Sequence, residues 1–445
     1  MDHLAQEYRL FLSCPWNMRV LLVTNLIYAL VLPIIELFVG AYVMRNSNDV
    51  KLVITYQIAL YTGIPVMFFL NGWLLRFVGI ARLYSVGMLL SGVSMAFMMS
   101  LGQLTVPGLV IAGLVMGMSF GLYWANRDFL ALSTTDDSNR NYYYGLETFF
   151  GTNVGIVIPL LIGTFIAASE RNSWFGGHVN HAYQIITGAV FLLTMIASVV
   201  VHSGNFHNPP KSPFVYFRFH RLWTRMQFLA ILKGIGSGYI VTAPAMLIMT
   251  LVGKEGTIGL IQSLGGILSA MILYVIGRTT KPRHRIAIFT VGLALFAIGV
   301  LPNMFFFNAL GVLFFMACLL LARPLQDMAF LTIQLRTIDT VSRIEMRNEF
   351  AYIVNQEFGN FIGRIAGCIL FILLANYISD TFALRYALPI VAVVQLLAIP
   401  IASKLILGCS EETLHSPNDT SEDTIPVSNQ QIITDPVSLG QAPEQ

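Results

Sequence analysis

Charged side chains occur inside segments of this sequence that are otherwise apolar. The run VLFFMACLLLARPLQDMAFLTI, residues 312–333, is long enough to cross a bilayer, yet it contains Arg323 and Asp327. These residues are four positions apart, so on a helix they lie on one face within reach of each other. A charge at the centre of a membrane span costs roughly 2.5–3.5 kcal/mol and therefore faces a partner or a water-filled cavity. The pair could bind a charged solute, move protons, or only join helices to each other.

A second polar group lies in the segment 350–376. Glu357, Asn360 and Arg364 are spaced i, i+3 and i+7, which places them on one helix face, and Asn355 and Gln356 lie beside them. We interpret Glu357 and Arg364 as an ion pair that is either structural or part of a gate. Asn355 and Gln356 are predicted to contact a substrate.

Glu36 and Lys233 are single charges in two further apolar segments. Glu36 has no basic residue within helical reach in its own segment, so it must meet a cation from another helix, face water or be protonated. A carboxyl group poised in this way is what proton coupling requires. We predict that Glu36 and Asp327 exchange protons and that Lys233 and Arg323 bind a negatively charged part of the substrate.

The composition shows which elements must position these groups. Of the 445 residues, 56% are hydrophobic and 11% are charged, whereas soluble domains have about 25% charged residues. The sequence therefore predicts an all-α integral membrane protein, with the first apolar stretch retained as a span. Twelve spans are predicted, near residues 18–44, 52–75, 83–102, 105–126, 145–168, 182–203, 226–250, 255–277, 285–306, 309–333, 350–376 and 382–406.

The distribution of Lys and Arg predicts the orientation. With both termini in the cytoplasm, 18 of the 26 Lys and Arg residues lie on the cytoplasmic side and five on the other side, as the positive-inside rule requires. We expect a multi-pass protein of a bacterial-type inner (plasma) membrane, acting as a monomer in contact with membrane lipid.

The chain divides near its midpoint. We predict an N-terminal six-helix bundle at 1–203, a cytoplasmic loop at 204–225, a C-terminal six-helix bundle at 226–408 and a disordered acidic tail at 409–445. Short matches between the halves, ETFFGTNVG (147–155) with NQEFGNFIG (355–363) and LVLP (30–33) with VTAP (241–244), favour a parallel internal repeat.

Twelve spans in a six-plus-six arrangement with a basic central loop resemble the major facilitator superfamily (MFS), over residues 15 to about 406. The loop NGWLLRFVGIAR, residues 71–82, fits the superfamily's local signature at Gly72, Leu74, Gly79 and Arg82. Arg76 occupies the position of the usual Asp, so the carboxylate latch of that loop is expected to be absent. The stretch GLYWANRDFLALSTTDDSNRNYYYGLETFFG, residues 121–151, is similar to a segment of uncharacterised bacterial MFS permeases.

The resemblance implies two bundles that rock around a midplane site lined by spans 1, 4, 7 and 10. It makes Glu36, Lys233, Arg323 and Asp327 cavity residues. The remaining site predictions come from residue type and position. The predicted substrate-binding aromatic residues are Tyr123, Trp124 and Tyr239, although aromatic residues also pack against helices and lipid. The predicted gate or structural ion pairs involve Arg76, Arg127, Asp128, Glu147, Glu357 and Arg364.

No nucleotide-binding loop or nucleophile motif occurs in the sequence. The histidines and the four cysteines lack metal-ligand spacing. We therefore expect no enzyme activity, no cofactor, no metal and no nucleic-acid partner. The predicted function is secondary active transport of a small polar organic solute, either anionic or zwitterionic, by alternating access and coupled to protons. Alternatives of the same fold are a lipid or glycolipid flippase, a drug efflux pump, and a receptor or scaffold that transports nothing.

Overall fold

The computed structural model describes residues 9–135, 139–208, 216, 218–253, 255–279, 284–347 and 349–415. All regular structure within these ranges is helical. The helices are Trp16–Ala29, Ile34–Phe38 (π), Val39–Ser47, Val50–Leu74, Ile80–Ser100, Val106–Thr134, Arg140–Arg171, Trp174–Gly177 (3₁₀), Asn180–Val201, Arg221–Ile240, Ala243–Leu251, Glu255–Thr279, Arg285–Phe306, Ala309–Glu345, Glu349–Tyr377, Asp380–Leu396 and Ala398–His415.

Eleven of the described helical segments are long and apolar enough to cross a membrane. The helix Glu255–Thr279 contains a shorter apolar stretch, Gly256–Ile272, and lies between two of them in sequence. The prediction of a multi-pass all-α membrane protein is confirmed. Counting the helix Glu255–Thr279 as span 8, we number the spans 1 to 12 in chain order. They are Trp16–Ser47, Val50–Leu74, Ile80–Ser100, Val106–Ala131, Tyr142–Arg171, Asn180–Val201, Arg221–Leu251, Glu255–Thr279, Arg285–Phe306, Ala309–Glu345, Ala351–Tyr377 and Asp380–Glu412.

Two predicted domain boundaries were wrong. Span 7 begins at Arg221, inside the region that was predicted to be loop. The last helix continues to His415, and Cys409 is buried on it beside Thr337, so the chain is still helical where the tail was predicted to begin. Residues 416–445 and most of the predicted central loop (209–215 and 217) lie outside the described residues.

Helix contacts group the spans by halves of the chain. In the first half, span 4 packs against spans 2 and 3, and span 6 packs against spans 1 and 3. In the second half, span 10 packs against span 9, and spans 7, 9 and 11 pack against span 12. The halves meet where span 2 contacts span 11 and span 5 contacts span 8. These are the contacts expected of two six-helix bundles.

Glycines allow spans 2 and 4 to approach each other closely. A Cβ atom on Gly63 would come within 2.5 Å of the carbonyl oxygen of Leu114, and one on Gly117 would collide with the carbonyl oxygen of Leu60. Small residues at such crossings let helix backbones touch, which is how membrane helices gain packing energy in lipid.

Spans 1 and 7 are both interrupted near their middle. In span 1, the α-helix ends at Ala29 and a π-helical turn, Ile34–Phe38, follows Pro33. In span 7, the helix ends at Ile240 and resumes at Ala243, next to Pro244. Proline removes a backbone donor and clashes with the preceding turn, which explains breaks at these places. The breaks fall on the two tetrapeptides that match between the halves, 30–33 and 241–244.

The two faces of the bundle can be distinguished by their contacts. At one face, which we call the terminal face, the start of span 1 is attached to the end of span 6. Here Trp16 Nε1 donates to the carbonyl oxygen of Ser203 at 2.9 Å, and Asn17 exchanges two hydrogen bonds with the backbone of Asn205. The opposite face holds the ends of the odd-numbered spans, such as Ser47 of span 1.

Polar contacts join the bundles between the midplane and the opposite face. Tyr61 Oη donates to the carbonyl oxygen of Ser237 at 3.2 Å, which joins span 2 to span 7. Ser263 Oγ of span 8 donates to the backbone of span 5, and Lys51 pairs with Asp380 at 3.5 Å. The second halves of spans 1 and 7 also touch, since a Cβ on Gly40 would lie 3.6 Å from that of Ala245. These contacts indicate a conformation that is closed at the opposite face.

Candidate functional site: a charged cavity between the bundles

A cavity of about 470 Å³ lies between the bundles near the midplane. Its lining comes from Leu37 of span 1, from span 7 around its break, and from spans 8 and 10. We expected spans 1, 4, 7 and 10. Span 8, which packs against span 10, takes the place of span 4 in this lining. Arg323 and Asp327 both line the cavity, and both side chains are exposed to it.

Asp327 pairs with Lys233, not with Arg323. The Nζ atom of Lys233 lies 3.0 Å from Oδ1 of Asp327, so the pair joins span 7 to span 10. The same ammonium group lies 4.1 Å from the ring centroid of Phe330, a cation–π geometry that holds it on the Asp327 side. Of the alternatives left open by the sequence, a structural ion pair between Arg323 and Asp327 is not formed, because Lys233 of span 7 pairs with the Asp327 carboxylate.

Arg323 has no ion pair or hydrogen bond among the residues that the structure describes. Asp327 lies one turn away on the same span, and Glu36 of span 1 lies within electrostatic range of Arg323 without an ion pair to it in the described structure. Glu36 lies on the π-helical turn of span 1, next to the lining residue Leu37, and its side chain is exposed. Spans 1 and 10 therefore each carry an exposed charge near the cavity, and neither charge makes an ion pair among the described residues.

Arg127 is the centre of a polar network inside the N-terminal bundle. Its guanidinium makes a two-point contact with Glu147, with distances of 2.5 and 3.1 Å, and its Nη1 lies 2.6 Å from Asp128. Glu147 also accepts a hydrogen bond from Asn25, whose side-chain oxygen accepts another from Tyr84. Arg127, Asp128 and Glu147 were predicted to take part in gate or structural ion pairs, and Glu147, the eighth residue of its helix, is largely buried. The network joins spans 1, 3, 4 and 5.

Glu357 and Arg364 contact each other on span 11, with 3.4 Å between Oε2 and Nη1, and Asn360 donates to the same carboxylate. The guanidinium of Arg364 lies 5.3 Å from the ring centroid of Tyr61 on span 2. The pair is therefore at the interface between the bundles, where it could act in a gate. Asp128 of span 4 lies within electrostatic range of Glu357 across that interface.

The three aromatic residues predicted to contact a substrate pack against protein. Tyr123 is buried between Tyr28 and Tyr84, with ring centroids 4.2 and 5.4 Å away. Tyr239 is buried against Phe371. Trp124 is half-buried, with its ring edge on Tyr123 and the Arg127 guanidinium over its face. None of them lines the described cavity in this conformation.

Three other predicted residues also lie away from the described cavity. Asn355 accepts hydrogen bonds from Trp223 at 2.8 Å and from Gln227, and Gln356 is buried. Arg76 is exposed, and no ion pair includes it within the described part of the chain. Asn355 and Gln356 would need a different conformation to reach a solute, and the prediction of a gating pair at Arg76 has no partner here.

The sequence reading missed Gln262, which lines the cavity, and Asn208. Gln262 was missed because a single amide in an apolar span gives no periodic signal. Asn208 attaches the chain after span 6 to the loop between spans 2 and 3: it donates to the carbonyl oxygens of Leu75 and Val78 and accepts from the amide of Ile80. This loop is the one that lacks the usual acidic latch. No group of three or more His, Cys, Asp or Glu within the described ranges could hold a metal ion.

No protein-family profile matches the sequence. The chain is 22% identical over 380 residues to the uncharacterized protein YqgE of Bacillus subtilis (strain 168), which covers 82% of this chain and 84% of that protein. An uncharacterized protein in the sodM 3′ region of Geobacillus stearothermophilus is 22% identical over 141 residues, covering 32% of this chain and 66% of that protein.

Solved structures show the fold. A bacterial homologue of the human drug peptide transporters PepT1 and PepT2 matches with a TM-score of 0.64 and 14% identity, over 89% of this chain and 99% of that one. A POT family transporter in complex with 5-aminolevulinic acid matches with 0.66 and 10%, over 88% and 97%. A bacterial homologue of the iron transporter ferroportin, in an inward-facing state, matches with 0.63 and 14%, over 87% and 98%. The chain is a multi-pass membrane protein with the MFS fold.

Proposed function

We propose that this protein is a secondary active transporter that moves a small organic solute across a membrane by alternating access. The observation that supports the proposal most directly is that Arg323 lines the cavity without a contact partner in the described structure and lies within electrostatic range of Glu36 on span 1. Charges inside membrane spans are costly unless they serve a cavity or an ion pathway. A receptor or scaffold of the same fold would gain nothing from leaving Arg323 without a partner.

The arrangement of the spans supports alternating access. Spans 1 and 7 are broken at matching positions, and their second halves pack together through Gly40 and Ala245 at the opposite face. Discontinuous spans at the midplane are typical of solute sites in transporters built from repeats. In our proposal, the bundles rock around the cavity, the contacts at the opposite face open, and the terminal face closes. If both termini are cytoplasmic, the present conformation is closed on the side away from the cytoplasm.

Proton coupling is the finer part of the proposal. A proton on Glu36 removes an opposite charge that acts on Arg323 from another span, which strengthens the attraction of Arg323 for an anionic group. Substrate and proton would then enter the cavity together, because each removes a charge that the other leaves uncompensated. Asp327 is a weaker candidate for a proton carrier, because the Lys233 ammonium already neutralises it.

A drug efflux pump or a lipid flippase of the same fold is the second candidate. The specific observation that favours it is the apolar wall of the cavity, which includes Met316, Leu319 and Leu331. Such a pump would bind an amphipathic compound through the same charged groups and would export it in exchange for protons that enter. A flippase also needs a lateral opening from the cavity into lipid.

The test is transport by purified protein in proteoliposomes with an imposed pH gradient. A thermal-shift screen with detergent-solubilised protein first selects the solute. We expect gradient-driven accumulation by the wild type, binding without accumulation by Glu36→Gln, and neither by Arg323→Ala. Arg171→Ala and Glu411→Gln, exposed residues outside the cavity, are the matched controls and should transport normally. If both cavity variants fold and transport like the wild type, the assignment fails.

A further inference from the structure

The cavity lining contains one charge that nothing in the described protein neutralises by contact. Asp327, the other charged lining residue, is neutralised by the Lys233 ammonium 3.0 Å away. The hydroxyl of Ser269 donates to the backbone oxygen of Leu320 at 3.1 Å, so it already has an acceptor. Arg323 is exposed to the cavity and makes no hydrogen bond or ion pair among the described residues. The cavity therefore offers a ligand a free guanidinium.

The rest of the wall is largely apolar. Leucine, methionine and isoleucine side chains from spans 1, 7 and 10 face the same space; the larger ones are Leu37, Ile240, Met316, Leu319, Met328 and Leu331. A volume of about 470 Å³ is within the range of sites for small organic molecules. A fully hydrated inorganic anion would leave these walls without a partner, whereas an organic anion with an apolar body would cover them.

We propose that this cavity binds an organic monoanion with a compact apolar body. Its acidic group pairs with Arg323, and its apolar part packs against the side chains of spans 1 and 10. A carboxylate fits this site because the planar guanidinium can donate to both of its oxygens in parallel. The inference rests on the proposed function for the step of translocation, but not for the step of binding.

The charges disfavour the other organic classes. A zwitterion needs a free carboxylate in the wall for its ammonium group; Asp327 is occupied by Lys233, and Glu36 lies beside the lining rather than in it. A cation would meet the exposed guanidinium at close range without compensation, and a neutral amide would leave that charge unpaired after displacing its water. Discrimination of this kind depends on what the site repels as well as what it attracts.

Four probes of one shape separate these classes: 4-phenylbutyrate (anion), 2-amino-4-phenylbutyrate (zwitterion), 4-phenylbutanamide (neutral) and 4-phenylbutylamine (cation). Binding is measured by equilibrium dialysis on full-length protein in nanodiscs, with empty nanodiscs to subtract partition into lipid. We expect the anion to bind at least tenfold more tightly than the other three. Arg323→Gln should remove that preference, and Arg323→Lys should retain part of it.

Leu319→Trp provides a variant that leaves every charge in place while filling the apolar part of the cavity. It should weaken binding of the anion at least tenfold, and thermal unfolding without probe shows whether each variant is folded. Equal or tighter binding of the zwitterion, amide or amine overturns the proposal. So does unchanged anion binding by folded Arg323→Gln, or the absence of binding by all four probes.

The two proposals can fail separately. If 4-phenylbutyrate binds in an Arg323-dependent way but is not moved by proteoliposomes under any gradient, the assignment of the ligand class stands and the transport function is wrong. If the proteoliposomes instead accumulate a neutral or cationic solute, transport stands and the monoanion site is wrong.

Discussion

The ammonium group of Lys233 on span 7 lies 3.0 Å from the carboxylate of Asp327 on span 10. The pair joins two helices. Arg323, one turn from Asp327 on span 10, therefore does not pair with Asp327 and has no contact partner in the described structure. Because the cation that holds Asp327 comes from span 7, which is broken at the level of the cavity, any movement of span 7 changes the charge that the cavity presents.

Removing either Lys233 or Asp327 alone should lower the free energy of unfolding more than removing both. Lys233→Met leaves Asp327 uncompensated, and Asp327→Asn leaves Lys233 uncompensated, whereas the double variant has neither charge. Since both side chains are partly exposed, we expect each single change to destabilise by about 1 kcal/mol or less, with the double variant close to the wild type. Thermal unfolding in detergent measures this. Additive losses in the double variant would contradict a direct pairing.

The Arg127–Glu147 contact should matter more for stability than the Lys233–Asp327 pair. Both Arg127 and Glu147 are largely buried, and Glu147 is also held by Asn25. Breaking a buried pair by removing one partner costs about 3–5 kcal/mol. We therefore expect Glu147→Ala to lower the unfolding temperature strongly and Glu147→Gln, which can still accept from Asn25, to lower it less. Glu170→Gln, which affects the more exposed pair with Arg45 on the opposite face, is the control. Similar unfolding temperatures for Glu147→Ala and Glu170→Gln would contradict this ranking.

The sequence predicted the membrane class, the fold and eleven of the twelve proposed spans, because these depend on local hydropathy and on repeat arrangement. It also identified Glu36, Lys233, Arg323 and Asp327 as charges that need an explanation. It could not predict that Asp327 pairs with Lys233 and not with Arg323. The i, i+4 spacing of Arg323 and Asp327 can be read from the sequence, whereas the contact between span 7 and span 10 cannot. Tyr123 and Tyr239 were predicted as binding residues for the same reason. The sequence shows that they are aromatic, but it does not show that they pack against Tyr28 and Phe371, which are distant in sequence.

Asn208 should slow hydrogen exchange in the loop between spans 2 and 3. Its side-chain nitrogen donates to the carbonyl oxygens of Leu75 and Val78, and its side-chain oxygen accepts a hydrogen bond from the backbone amide of Ile80. Each such bond contributes about 1 kcal/mol net. We expect Asn208→Ala to speed hydrogen exchange at the Ile80 amide by at least tenfold.

Asn205→Ala is the matched control, because Asn205 contacts Asn17 through its backbone. Its exchange profile in the loop should match that of the wild type. If Asn208→Ala leaves exchange at residues 75–80 unchanged, this attachment does not hold the loop in solution.

The packing of Gly40 on Ala245 provides the sharpest test of alternating access. A Cβ at position 40 would lie 3.6 Å from the Cβ of Ala245, within the range of about 3.5–4.5 Å found in disulfides. In a background in which Cys14, Cys318, Cys368 and Cys409 are replaced, Gly40→Cys with Ala245→Cys should cross-link spontaneously or with a mild oxidant. The bond would hold the second halves of spans 1 and 7 together at the opposite face. Transport should then stop and recover fully on reduction, while ligand entry from the terminal face continues.

Each single cysteine variant should transport with and without oxidant. Full transport by the cross-linked protein would show that the opposite face need not open, and the rocking mechanism would have to be abandoned.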